Sequence, residues 1–147
     1  MTDHPDMKTY EVGIALMLAA RNTTASRNRL LKPYGLSSVS WFALGLIDDK
    51  TAAGGVRVTE IASLFDVKTT YITFILNQLR GKGYVMTNPD PHDARARRLV
   101  VTKEGARLVG KIEKLLQAET DKLLKRKVGS GQFKQYVQVL NKLAETE

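Results

Sequence analysis

Apolar and polar positions divide this chain into six helical stretches and one strand-like interruption. From Tyr10 to Leu31 there is no proline and a single glycine, Gly13, and Val12 to Ala20 is apolar on nearly every side. A helix apolar all round has to be buried all round. The centre of a monomeric core meets that need and so does a second copy of the chain; the small size of the chain favours the copy. Lys32-Pro33-Tyr34-Gly35 ends this helix. Ser37 or Ser38 caps the next, in which Val39, Phe42, Ala43, Leu46 and Ile47 recur at helical spacing. Thr51 to Gly55 closes it with small residues.

Two short helices follow in close succession. The spacing predicts one capped by Thr59, with Ile61, Ala62, Leu64 and Phe65 facing inward, a tight turn at Asp66-Val67, and another from about Thr69 to Lys82. Ile72, Ile75, Leu76 and Leu79 run at i, i+3, i+4 and i+7. Thr69, Thr70, Thr73 and Asn77 are therefore thrown to the other side, with Phe74 beside them. After Gly83 the period becomes strand-like over Tyr84–Thr87 and Arg98–Thr102, and the polar segment between them reads as the exposed tip of a hairpin. Thr102 caps a helix that continues to about Lys127. At 1.5 Å per residue that helix is about 37 Å long, more than a compact monomer of this size readily buries. Gly129-Ser130-Gly131 stops it, and Phe133, Tyr136, Val137, Leu140 and Leu143 define a last amphipathic helix.

Composition then narrows the function classes. The 147 residues are 43% hydrophobic and 26% charged, as in an ordinary globular protein of one domain. The formal net charge is +8, and residues 80–127 hold 13 of the 23 basic and only 6 of the 15 acidic side chains. A polyanion is the partner such a field attracts. With no cysteine there is no disulfide, no thiolate metal site and no cysteine nucleophile. The chain is expected to be cytoplasmic and without a membrane partner, because its longest apolar run is far short of the ~20 residues a spanning helix needs and its first residues lack the positive charge of a secretory leader. His4 and His92 are the only histidines, and neither has triad or metal-ligand partners in pattern. No catalytic constellation, metal site or cofactor cradle is expected, and the chain is read as a non-enzyme.

A helix, a turn, a second helix with a polar outer face and an arginine-bearing hairpin have a joint physical use. The second helix fits a major groove about 12 Å wide. There Thr69, Thr70, Thr73 and Asn77 offer hydroxyls and an amide, and Tyr71 and Phe74 reach thymine methyls. Ser38 and Lys68 join this expected DNA-binding set. Arg95 enters the minor groove, Arg97 and Arg98 take flanking phosphates, and Asp93 orients the Arg95 guanidinium.

From Thr59 to Gly105 the sequence resembles the winged helix-turn-helix of the MarR family of bacterial and archaeal transcriptional regulators. The resemblance rests on Thr59-Glu-Ile-Ala, Ile72 to Leu79, Gly83-Tyr-Val, Asp90-Pro-x-Asp-x-Arg95 in the wing, and Val101-Thr102-x-x-Gly105. Ala94 and Phe74 depart from the family's habits, standing where a second wing arginine and a polar or basic residue are common. The resemblance implies a mainly α fold over 1–147, with a winged helix-turn-helix lobe at 37–102 and a helical dimerisation region at 8–32 and 103–145. It also implies a homodimer on a palindromic double-stranded operator, with release by a small-molecule effector. Tyr10, Ile14, Leu18, Leu123, Tyr136 and Leu140 are the expected dimer contacts, and Tyr34 and Trp41 the expected ligand-pocket residues. A winged helix serving as a protein-interaction or nonspecific DNA-binding module, and a helical scaffold that binds no DNA, are the alternatives left open.

Overall fold

The computed structural model describes residues 8–145, the side chains at 123–125 and 130 excepted. In chain order the elements are α1 (Thr9–Leu31), a 3₁₀ turn (Lys32–Tyr34), α2 (Ser38–Thr51), α3 (Val58–Leu64), α4 (Thr69–Gly81), β1 (Val85–Pro89), β2 (Arg97–Val101), α5 (Lys103–Lys127) and α6 (Ser130–Ala144). The protein is mainly helical with one small antiparallel sheet, as expected of a winged helix-turn-helix. Two compact units divide at Val109 and Gly110.

Local chemistry explains each boundary in the first unit. Pro33 sits in the turn after α1, and Gly35 leaves it at φ 64° with its N–H on Lys32 O. Ser37 caps α2, its Oγ accepting from Ser40 N–H at 3.1 Å. At α3 the expectation of a Thr59 cap is corrected. The helix begins at Val58, and Glu60 Oε2 accepts the Arg57 N–H at 2.6 Å. An acid on the third residue reaches back to an open donor that a threonine inside the helix cannot reach. Asp66 turns the chain at φ 51°, a left-handed conformation that a short polar side chain tolerates. In the fifth helix Thr102 Oγ1 accepts from Gly105 N–H at 3.0 Å and donates to Gly83 O at 2.6 Å, so the expected cap also ties the helix to the start of the hairpin.

The strands pair from Val85↔Val101 to Pro89↔Arg97, one or two residues nearer the tip than the sequence suggests. Val56 adds a third, one-residue rung against Leu99, with N–H···O bonds of 3.1 and 2.8 Å in both directions. Leu31, Leu44, Ile47, Ile61, Ile72, Leu79, Val85 and Leu99 form the core of this unit. Two expected core residues are outside it. Phe42 is 44% exposed and Leu64 67%. The inner face of α2 runs through Ser40, Trp41, Ala43, Leu44 and Ile47, which turns Phe42 to the rim. There its ring meets the edge of Phe65 at 6.5 Å and the Arg27 guanidinium at 4.8 Å. The seven-residue α3 buries only Ile61 and Ala62, and Leu64, its last residue, stays outside.

Candidate nucleic-acid interface

Helix α4 has two chemically opposite sides. Ile72, Ile75, Leu76 and Leu79 are buried, while Thr69, Thr70, Tyr71, Thr73, Phe74 and Asn77 are all exposed, with Lys68 at the helix start exposed as well. Thr73 Oγ1 donates to Thr69 O at 2.9 Å. Its hydroxyl proton is thereby spent, and what the side chain offers outward is an acceptor. At the far end, Lys82 Nζ donates to Gly35 O at 2.6 Å and ties α4 to the turn after α1.

The wing is built around a buried acid. Asp90 closes β1 with its side chain fully out of solvent, and its Oδ2 accepts from Arg57 Nε and Arg98 Nε, each at 2.8 Å. Its Oδ1 accepts the His92 N–H at 2.8 Å. The Arg57 hydrogen bond first, then the His92 N–H and Arg98, hold the Asp90 carboxyl well below the usual carboxylate range against the opposing effect of burial. Arg98 Nη1 donates to Gly55 O at 3.1 Å. Asp90 N–H to Ala96 O and Ala96 N–H to Asp93 O close the loop between the strands. The result is a wing whose root is pinned to the loop before α3.

Several expected assignments change at this level. Asp93 does not hold the Arg95 guanidinium; its Oδ1 accepts the Arg95 backbone N–H at 3.0 Å and shapes the turn. Arg98 is committed to Asp90 and Gly55 and belongs to the wing root, leaving Arg95 and Arg97 as exposed wing arginines. Ser38 is buried, and both its N–H and its hydroxyl donate to Asn28 Oδ1 at 2.8 Å, which removes it from the outer surface. Trp41 is buried in the core and Tyr34 half-buried. A concavity of about 410 Å³ is bounded by Asn28, Lys32, Gly35, Leu36, Ser37, Ser40 and Gln78, so Tyr34 and Trp41 are not in its lining. Sequence reasoning missed Arg57, Asn28 and Lys82. Only the wing motif around Asp90 hinted at such a partner, because the pairs themselves lie 33, 10 and 47 residues apart.

Of the expected dimer contacts, Tyr10, Ile14 and Leu18 are exposed on α1, and so are Val12, Leu16 and Met17. Tyr136 is exposed and Leu140 half-buried on α6. The Leu123 side chain lies outside the described residues, as does His4. Among the described residues no three His, Cys, Asp or Glu side chains gather as metal ligands, and no helix is long and apolar enough to cross a membrane.

No family model matches the chain. It is 26% identical to the HTH-type transcriptional regulator BilQ of Clostridioides difficile over 77% of this chain and 74% of that one. It is 27% identical to the HTH-type transcriptional repressor IacR of Pseudomonas putida over 83% and 68%. A MarR-family regulator from a Rhodococcus species superposes with a TM-score of 0.83 at 21% identity, covering 95% of this chain and 96% of that one. CouR of Rhodococcus jostii, bound to p-coumaroyl-CoA, gives 0.81 at 22% over 97% and 98%. A mutant MarR from E. coli complexed with operator DNA gives 0.76 at 20% over 90% and 93%. The winged helix-turn-helix described above, the wing motif and these relatives converge, and the chain has the fold of the MarR-family transcriptional regulators.

Proposed function

We propose that this protein is a transcriptional regulator that binds double-stranded operator DNA as a homodimer, performs no chemistry and works in the cytosol. One observation carries the reading: α4 buries its aliphatic side completely and leaves three threonines, Asn77, Tyr71 and Phe74 exposed, next in sequence to a braced wing with free arginines. A helix of that kind offers a major groove acceptors, an amide and two aromatic edges. Arg95 and Arg97 supply the cations for minor groove and phosphate. The exposed apolar side of α1 supports a second copy as its cover, since exposed patches of this kind mark association surfaces. The operator-bound MarR and the ligand-bound CouR support DNA as the partner and a small effector as the regulator. The concavity beside Asn28 and Gln78 is where such an effector touches both α4 and the turn after α1. Helices α1, α5 and α6 then form the dimerisation region, and residues 37–102 form the DNA-binding lobe.

Selection of bound sequences from a random duplex pool tests this. The expected result is a palindromic consensus whose half-sites lie about one duplex turn, ~34 Å, apart. Binding that ignores sequence and collapses with salt supports a nonspecific module instead.

A further inference from the structure

Two arginines share one carboxylate at the wing root, and their remaining nitrogens differ. Arg98 is 23% exposed, and its Nη1 is spent on Gly55 O. Arg57 is 34% exposed, gives only its Nε to Asp90 at 2.8 Å, and makes no further side-chain hydrogen bond among the described residues. Its Nη groups therefore stand as an unused fork, held in one direction by a buried acid. Its own backbone N–H is already satisfied by Glu60. Three carboxylates act on the Arg57 side chain, Asp90 through the hydrogen bond and by charge and Asp93 and Glu60 by charge alone. Asp90 is shared with Arg98, and the wing beyond the root carries Arg95 and Arg97, both exposed. A fixed guanidinium with a free N–H pair matches the bidentate geometry of a phosphate. Holding it in place beforehand lowers the entropy lost on contact.

We infer that Arg57, oriented by Asp90, is a DNA-backbone phosphate contact at the root of the wing. The inference rests on the proposed DNA-binding function. Asp90 acts here as a positioning residue: it sets the direction of Arg57 and joins wing and helix-turn-helix, so that contacts from both arrive on the duplex in fixed register.

The test uses the full chain and a duplex obtained by the random-pool selection, with affinity read by fluorescence anisotropy from about 50 to 200 mM salt. Arg57→Ala is expected to weaken binding to the selected duplex and to an unrelated one by the same factor. It should lower the salt slope of log K by about 0.9 per protomer, or about 1.8 for a dimer. Arg57→Gln keeps a donor for Asp90 while removing the charge, and it should show the same loss of slope with a thermal midpoint between those of Arg57→Ala and the wild type. If Arg57→Ala fails to fold, Arg57→Gln decides alone. An unchanged slope overturns the inference, including where affinity drops, because a purely structural role moves affinity without changing the number of phosphates neutralised. Absence of any wild-type binding overturns the functional reading itself, and this inference with it; that outcome is distinguished by being seen before any variant is made.

Discussion

Replacing Gly55 by alanine tests whether the wing is fastened to the loop before α3 as tightly as the hydrogen bonds indicate. Gly54 and Gly55 both have left-handed backbone, at φ 96° and 91°. Either alanine accepts a conformation costing about 1–3 kcal/mol. Only Gly55 is also crowded. A methyl there would overlap the carbonyl oxygen of Leu99 and stand 2.8 Å from Val100 Cγ1, whereas nothing lies within 4 Å at Gly54. Overpacking against backbone adds about 1–3 kcal/mol. At about 2–4 °C per kcal/mol for a chain near this size, Gly55→Ala should melt about 2–12 °C below Gly54→Ala. The same overlap has to part the Val56–Leu99 rung and shift Gly55 O from Arg98. Affinity for an operator, measured well below either midpoint, should therefore fall in Gly55→Ala and hold in Gly54→Ala. Differential scanning calorimetry and anisotropy read the two effects. Equal midpoints for the two variants would refute the close approach, and equal affinities would refute the link between this loop and the wing.

Arg95→Ala should weaken operator binding by about 1–3 kcal/mol without moving the thermal midpoint, since its side chain is exposed and Asp93 holds only its backbone; titration of a selected duplex and a melt check both halves. Leu18→Asp and Leu140→Asp should each lower the mass found by sedimentation at micromolar concentration, and wild-type mass in both variants would deny the dimer its proposed contacts. Asp90 gives a pH signature. Its folded pKa lies below the unfolded value of about 3.9, so its contribution to stability is complete above that value and is lost as pH falls toward the folded one. Asp90→Asn should therefore melt below wild type at pH 7, with a gap that narrows as pH drops below about 4. A constant gap would show that the carboxylate's charge is not what Arg57 and Arg98 hold.

Much of this molecule is legible along the chain. The i, i+3, i+4 spacing of Ile72, Ile75, Leu76 and Leu79 is enough to predict which side of α4 is buried, because a helix converts sequence spacing into a face directly. A cap at Ser37 or Ser38 and one at Thr102 could be predicted for the same reason, since a cap acts over three residues; the structure uses Ser37 and Thr102. Phe42 and Leu64 show where that logic ends. An apolar residue at the margin of a stripe is buried only if another element covers it, and covering depends on how long α3 is and how α2 is rotated. Its place two residues before Arg95 pointed to Asp93 as an acid that orients that guanidinium, whereas in the fold the acid that holds guanidinium groups is Asp90, on Arg98 and on Arg57, 33 residues away. Likewise Ser38 became an interior hydrogen-bond donor because Asn28, ten residues earlier, comes within 2.8 Å of it. Periodicity, capping and charge are short-range properties of a chain and were determined by the sequence alone. Which acid meets which arginine, and which hydroxyl is left for a partner, was decided by tertiary structure, because a desolvated charge takes whatever counter-charge folding brings within hydrogen-bond reach.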